Sequence, residues 1–154
     1  MMNGREGKKD NDLFFTCSLV EYIARKTRNR PADIVDYLGI TNLEKIYDLA
    51  DIYHCDNIED VSDEFIQKCE IPNGDFDNVS VCKYSVPTHW DIGKVYKRLI
   101  LMIARDEKCG IVDALRKAYH SFVSDLIENY NGSFYYDNPQ TIFQTYRNGE
   151  VFEE

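Results

Sequence analysis

The stretch that decides the fold runs from Leu13 to Ala24 and reads LFFTCSLVEYIA. Its apolar residues lie on nearly every side of a helix, which is typical of a helix surrounded by others. Asn11 or Asp12 is placed to cap its first turn, and the basic run from Arg25 to Arg30 suits a helix C-terminus. The stretch therefore predicts a central helix on which the neighbouring elements pack.

Helical periodicity continues beyond this stretch. Pro31 opens a short helix that Gly39 closes, and Thr41 with Glu44 three residues later predicts a capping box for the next helix. Further apolar stripes at helical spacing begin near Asp56, Thr88, Ile111 and Asn138. Thr88 with Asp91 predicts a weaker box of the same kind, and Gly149 is predicted to end the last helix. Because short helices are marginal alone in water, their apolar stripes must be buried against each other. This predicts an all-α fold of about seven helices.

Residues 70–87 interrupt the helical pattern with the turn-forming run from Pro72 to Asn78. Alternation from Val79 to Tyr84 allows one short extended segment in this region. We therefore predict two packed helical halves, an N-terminal subdomain at residues 12–69 and a C-terminal subdomain at 88–148, joined by this irregular linker. Outside them, residues 1–11 are predicted to be a flexible N-terminal segment and residues 149–154 an acidic tail.

Composition and charge restrict the classes of function. The chain has 154 residues, with 18 basic and 27 acidic side chains and a formal net charge of −9. This balance argues against a general binder of nucleic acid or of anionic membranes, since both need positive charge. The longest apolar run is far shorter than the roughly 20 residues of a membrane-spanning helix, and the polar N-terminus lacks a signal-peptide core. With cysteines that never form a C-x-x-C pair, these features predict a reduced, cytoplasmic protein.

The acidic side chains are concentrated in one region. Residues 48–64 hold seven acidic side chains and no Lys or Arg. Such a run is either a solvated helix face or a surface that recruits a basic protein by electrostatic steering. The candidate partner-binding residues are Asp56, Glu59, Asp60, Asp63 and Glu64.

A second candidate surface surrounds Trp90, the only tryptophan. Together with Lys94 and Arg98 it forms an aromatic and basic group suited to an anionic ligand. Gly93 lies in the same helical pattern, where it costs about 1 kcal/mol relative to Ala, so it indicates the close approach of another group. The preferred interpretation is that Gly93 marks a helix crossing and that Trp90 covers an edge of the core, and the anion-binding surface is kept as the alternative.

The segment from Pro31 to His54 resembles a helix-turn-helix with Gly39 in its turn. The basic residues between Arg25 and Arg30 could reach phosphates, but the second helix, Asn42 to His54, carries three acidic side chains and one lysine. A recognition helix normally supplies Arg or Lys to the DNA backbone. DNA binding is therefore kept as an alternative, not as the first prediction.

Catalytic and metal-binding patterns do not emerge from the sequence. The three histidines and five cysteines show no zinc-ligand spacing, and no glycine-rich phosphate-binding loop is present. A Cys/His pair would lack the strained, glycine-flanked turn that presents such nucleophiles. We therefore predict no catalytic residue, no metal and no cofactor, and an unrecognised enzyme stays as the remaining alternative.

Apolar and aromatic residues of the first half occur in a recognisable order: LFF at 13–15, VEYIA at 20–24, PADIV at 31–35, a pattern from Leu43 to His54, and a pattern from Ile58 to Ile66. Over residues 12–69 the chain resembles a small bacterial family of unknown function, the domain family numbered thirty-seven ninety-one. Its members are small cytoplasmic proteins of gut-type bacteria. Some are encoded beside an ADP-ribosyltransferase-like toxin family, in an arrangement resembling a toxin–antitoxin pair. The resemblance implies a protein-binding or neutralising role and transfers no site residues.

The sequence thus predicts a non-catalytic protein–protein interaction module, antitoxin-like, for a basic protein encoded nearby. A homodimer is a further expectation, because the helix faces at 92–103 and 111–130 offer apolar area. A typical stable interface buries about 1,600 Å² in total, which two such helices could supply.

Overall fold

The computed structural model describes the backbone of residues 2–150 and the side chains of residue 7 and residues 9–150. Within this range the chain forms eight α-helices, one 3-10 helix and no strand, which confirms the predicted all-α class. The helices are α1 (Met2–Thr27), α2 (Pro31–Asp48), α3 (Ala50–Tyr53), α4 (Ile58–Lys68), α5 (His89–Glu107), α6 (Ile111–His120), α7 (Phe122–Ile127) and α8 (Pro139–Asn148), with the 3-10 helix at Phe134–Tyr136. No helix of the described range is both long enough and apolar enough to cross a membrane.

Helix α1 is the centre of the packing. It contacts α2, α3 and α4, and its most extensive contact is with α5. Leu13, Leu19 and Ile23 of α1 are fully buried. They belong to one hydrophobic cluster that also includes residues of α5, α6, α7 and α8. The two predicted halves therefore share a single core across the contact between α1 and α5.

The contact between α1 and α5 is closest to a glycine. A Cβ atom at Gly93 would lie 2.9 Å from the backbone nitrogen of Ser18 and nearer still to its Oγ. Such distances are well inside van der Waals contact, so only a residue without a side chain allows this packing. The predicted helix crossing at Gly93 is confirmed.

Helix α1 begins at Met2, so the predicted start at Asn11 or Asp12 is wrong. The ammonium group of Lys9 lies 4.9 Å from the ring centroid of Tyr47, and a carboxylate oxygen of Asp10 lies 3.4 Å from Lys97 Nζ. These contacts attach the early part of the helix to α2 and α5. The segment at 1–11, predicted as a flexible lead-in, is thus helical from Met2 onward.

Two helices that the sequence predicts as continuous are interrupted. Leu49 (φ −106°, ψ 18°) separates α2 from α3, and Ser121 (φ −82°, ψ 162°) separates α6 from α7. Ser121 Oγ donates a hydrogen bond to the carbonyl of Ala118 at 2.7 Å. Such a local bond offers the backbone an alternative to continued helix.

Residues 70–87 contain no helix and no strand, and the short extended segment predicted there is wrong. The carboxylate of Asp77 accepts hydrogen bonds from the backbone nitrogen and Oγ of Ser80, at 3.0 and 2.7 Å, which stabilises a turn. The linker is also attached to α1, because Gly74 N donates to the carbonyl of Thr27 at 2.8 Å.

Some of the predicted helix ends are confirmed by the structure and others are wrong. Thr88 Oγ1 accepts from Asp91 N at 3.0 Å and Asp91 accepts from Thr88 N at 2.8 Å, so α5 has its predicted capping box. The box predicted at Thr41 is wrong, because the kink at Gly39 (φ 75°, ψ 167°) lets the helix resume at residue 40, before Thr41. Gly149, in the left-handed region at φ 76°, ends α8 as predicted. Residues 151–154 of the predicted tail lie outside the described residues.

Candidate functional site

The predicted partner-binding residues form one exposed surface, called the acidic face: Asp56, Glu59, Asp60, Asp63 and Glu64. The last four are spaced so that they share the solvent side of α4, while Val61 and Phe65 of the same helix are buried. Asn57 caps the helix, since its side chain accepts a hydrogen bond from Glu59 N at 2.8 Å. The structure therefore brings these carboxylates together at one end and one side of α4.

One lysine neutralises part of the acidic face. Lys26 Nζ lies 2.6 Å from Asp63 Oδ1 and 3.8 Å from Glu59 Oε1. The hydrogen bond to Asp63 raises the pKa of Lys26. Within the described part of the chain, Asp56, Asp60 and Glu64 form no ion pair. Three carboxylates of the face thus remain available to an outside partner.

Trp90 borders a different cavity from the two cations with which the sequence groups it. The indole packs against Phe14, with ring centroids 5.5 Å apart, and against His89 at 4.9 Å. It lines a cavity of about 660 Å³ that Phe14 and His54 also border. Lys94 and Arg98 line a different cavity. The three residues therefore do not line one cavity, since the indole packs on α1, and the anion-binding surface predicted from the sequence stays a prediction.

The cavity of Lys94 and Arg98, called the basic cavity, has a volume of about 450 Å³. It lies between residues 85–87 of the linker, α5, the 3-10 helix and the start of α8. Its apolar wall is formed by Val86, Pro87, Val95, Leu99 and Ile142, and its polar wall by Asp91, Tyr135, Tyr136 and Asp137 besides the two cations. An aliphatic wall beside a few polar groups is the usual composition of a small-molecule site.

Two carboxyl groups that the sequence analysis does not single out are buried in the core. Glu21 of α1 is 1% exposed, and Glu128, the C-cap of α7, is 5% exposed. Tyr96 Oη donates to Glu128 Oε2 at 2.9 Å, and Tyr130 Oη donates to Glu128 Oε1 at 3.0 Å. Among the described residues Glu21 Oε2 has no hydrogen-bond partner. The hydroxyl groups of Tyr96 and Tyr130 therefore both donate to the same carboxyl group, that of Glu128.

Further hydrogen bonds fix the two tyrosines. Because the Tyr96 hydroxyl donates a hydrogen bond to the Glu128 carboxylate, its oxygen accepts the hydrogen bond from Ser124 Oγ at 2.7 Å. Arg25 Nη2 donates to Tyr130 Oη at 3.0 Å and to the carbonyl of Pro87 at 2.6 Å. This network ties α1, α5, α7 and the linker around the buried pair.

The two buried carboxyl groups differ in their proton affinity. Burial raises the pKa of Glu21 well above its usual range, and the charge of Glu128 raises it further. Burial also raises the pKa of Glu128, but hydrogen bonds and the charge of Arg25 oppose the rise. The rise in pKa is opposed more strongly at Glu128 than at Glu21, so Glu21 is the member of the pair that more readily keeps a proton.

A pair of carboxyl groups with different proton affinities is an arrangement used in acid–base catalysis. A substrate would have little room beside this carboxyl pair, because the cavity next to Glu21 and Glu128 has a volume of about 10 Å³, room for about one water molecule. Cys17 is also fully buried, and burial raises the pKa of its thiol, which disfavours the nucleophilic thiolate. We assign these buried groups to the support of the fold.

The structure changes the geometry on which the DNA-binding alternative rests. The helix proposed to read DNA, Asn42 to His54, is interrupted at Leu49. The basic residues proposed for phosphate contacts are largely engaged within the molecule: Arg25 with Tyr130, Lys26 with Asp63, and Arg30 with Asp125 at 3.0 Å. Of the four only Arg28 has no such pairing among the described residues.

The residues that the structure describes contain no group of three or more His, Cys, Asp or Glu side chains able to hold a metal ion. Comparison of the chain with protein-family models, with curated proteins and with solved structures gives no match. The family resemblance noted for residues 12–69 therefore stays a hypothesis, and function is argued from the surfaces of this molecule.

Proposed function

We propose that this chain is a non-catalytic interaction module that binds a basic protein through its acidic face. The observation that carries the proposal is the grouping of exposed carboxylates on α4 and just before it, of which Asp56, Asp60 and Glu64 form no ion pair within the described residues. Uncompensated charge of one sign accelerates encounter with a surface of the opposite sign. A basic partner is thus the class of protein that this surface favours.

Exposed apolar side chains lie a few residues before the acidic face in the chain and offer the apolar contact area that charge alone does not supply. Ile52 of α3 is 60% exposed and Leu49, just before α3, is 37% exposed. Interfaces combine such apolar anchors with a polar rim, and the rim charges act mostly on the association rate. The proposed interface therefore includes α3 as well as α4.

The apolar helix faces on which the homodimer prediction depended are largely buried within the chain itself. Ile92, Leu99 and Ile103 of α5 are buried within the chain, as are Leu115 and Tyr119 of α6. Because these apolar faces already form the core of one molecule, they are not available to a second copy. A partner of different sequence is favoured over self-association, and the resemblance to toxin-neighbouring proteins points to one encoded nearby.

The test uses the full chain with an affinity tag, co-expressed with the proteins encoded by the adjacent genes. If a basic protein co-purifies, Asp60→Lys with Glu64→Lys is expected to slow its association at least about tenfold, because both steering charges are reversed. Stopped-flow or surface-based kinetics at several salt concentrations measure the effect. The association rate of the unaltered protein should fall as salt rises.

A matched control separates the acidic face from net charge. Asp75→Lys with Glu150→Lys makes the same charge change at two exposed positions outside every helix. We expect this variant to associate at nearly the rate of the unaltered chain. The proposal is wrong if no protein co-purifies, or if the two double variants slow association equally.

A further inference from the structure

The basic cavity contains two cations that form no ion pair with the carboxylates at its border, Asp91 and Asp137. Lys94 and Arg98 are exposed, lie one helical turn apart on α5, and form no ion pair within the described residues. Nearby cations of the same region are paired: Lys97 lies 3.4 Å from Asp10, and Lys117 lies 2.8 Å from Glu107. In a chain with a net charge of −9, unpaired cations that share a cavity leave positive charge available to a ligand.

The walls of this cavity favour a ligand with an apolar body. Its volume of about 450 Å³ falls within the roughly 300–1,000 Å³ of small-molecule sites. Val86 and Tyr136 at its border are 38% and 68% exposed, and Leu99 and Ile142 form part of its floor. An apolar ligand would cover side chains that the protein itself leaves in water, which is favourable in proportion to the area buried.

Two carboxylates in the same wall restrict the charge of the ligand. Asp91 is held in place because it accepts the hydrogen bond from Thr88 N at 2.8 Å, and Asp137 borders the cavity at the end of the 3-10 helix. A dianionic phosphate would be repelled by both groups, whereas a carboxylate brings a single charge. The planar guanidinium of Arg98 matches a carboxylate through two parallel hydrogen bonds.

We propose that the basic cavity binds a small organic carboxylate with an apolar aryl or alkyl body. Arg98 and Lys94 hold the carboxylate, and the aliphatic wall with Tyr136 covers the apolar body. The cavity is built from the linker, α5, the 3-10 helix and α8, none of which contributes to the acidic face. This proposal is therefore independent of the proposed protein binding.

The test is calorimetric titration of the full chain with 3-phenylpropanoate, with its neutral isostere 3-phenylpropanamide and with phenyl phosphate. We expect the carboxylate to bind at least about tenfold more tightly than the amide, because hydrogen bonds to charged groups are stronger than neutral ones. We also expect it to bind more tightly than the phosphate. Equal affinities for acid and amide, or no binding of the acid at millimolar concentration, would overturn the proposal.

Variants locate the binding. Lys94→Gln with Arg98→Gln should remove the preference for acid over amide, and Tyr136→Ala should weaken both ligands alike. Arg98→Lys keeps the positive charge but loses the planar guanidinium that forms two parallel hydrogen bonds. This variant should therefore retain part of the preference for acid over amide. Arg105→Gln removes an exposed cation of the same helix outside the cavity and should change neither affinity. Unchanged acid binding in the Lys94/Arg98 double variant, with an unchanged circular-dichroism melt, refutes the site.

Discussion

Glu21 occupies a buried position where an ionised carboxylate would lose its hydration, and its Oε2 has no hydrogen-bond partner among the described residues. Burial and then the charge of Glu128 raise the pKa of Glu21 well above its usual range, which favours the protonated side chain in the folded protein. Its unfolded value is about 4.3, so the native state binds one more proton above that pH. The stability linked to this proton is fully present below about pH 4.3 and is lost as pH rises through the folded pKa.

We expect Glu21→Gln to make the protein more stable than the unaltered chain at pH 8, and the difference to shrink toward pH 4. Glutamine keeps the shape and a hydrogen-bond donor of the protonated carboxyl but does not titrate. The expected slope of the difference is about 1.4 kcal/mol per pH unit inside the titration window. Urea unfolding at several values between pH 4 and pH 8 measures it. A difference that does not vary with pH would mean that the pKa of Glu21 is ordinary.

Glu128→Gln is the matched control, because the same substitution is made in the carboxyl group that holds the charge. Tyr96 and Tyr130 would lose a charged acceptor. We expect a loss of about 1–3 kcal/mol at pH 7, in the range of hydrogen bonds to charged groups. If Glu21→Gln were instead the destabilising variant and Glu128→Gln the neutral one, the proton would reside on Glu128.

Of the two buried carboxyl groups, the sequence indicates the position of Glu21 but not that of Glu128. Glu21 interrupts an apolar stretch that predicts a central helix, and a side chain on such a helix has no solvent-facing side. Its partner Glu128 is the C-cap of α7, a short helix that begins after the break at Ser121. No periodicity marks that break, so the pairing depends on tertiary structure.

Among the helices, the contact between α1 and α5 sets the tightest packing requirement. We expect Gly93→Ala to destabilise the protein by about 1–3 kcal/mol, because the new methyl group would collide with the backbone of Ser18. This loss outweighs the gain of about 1 kcal/mol in helix propensity. Thermal and urea unfolding measure the net effect.

Gly7→Ala is the control for this substitution, since Gly7 lies in α1 with nothing within 4 Å of an added Cβ atom. There only the helix propensity changes, and stability should rise by up to about 1 kcal/mol. Equal stabilisation by both substitutions would show that α1 and α5 adjust to a side chain at position 93.

Helix positions follow from the sequence where local chemistry determines them. Pro31, Gly149 and the box of Thr88 with Asp91 act within a few residues, and the structure has the expected boundaries there. The break at Leu49 and the extension of α1 to Met2 involve distant contacts, such as that of Asp10 with Lys97. The basic cavity likewise could not be predicted from local sequence, because it forms only when α5, the linker and α8 pack together.

In the whole molecule, one core joins the two predicted halves. Phe14 of α1 packs on Trp90 of α5, and Arg25 of α1 donates to the carbonyl of Pro87 in the linker. Apolar residues from α1 through α8 form one cluster. Separating the halves would expose the apolar sides of α1 and α5 to water at roughly 25 cal/mol per Å². Neither half therefore has a closed core of its own.

We expect the full chain to unfold in a single cooperative transition, and the fragments 1–69 and 88–154 to remain largely unfolded when expressed separately. Trp90 is the only tryptophan and lies at the contact between α1 and α5, so its fluorescence reports on the shared core, while circular dichroism at 222 nm reports on all helices. In urea the two signals should change with the same midpoint, as a two-state domain requires. Mixing the two fragments should restore helicity, because each then regains the apolar surface that the other half supplies at the contact between α1 and α5. Separate midpoints, or a stable helical fragment 88–154, would show instead that the predicted halves are autonomous and that α5 needs only its C-terminal neighbours.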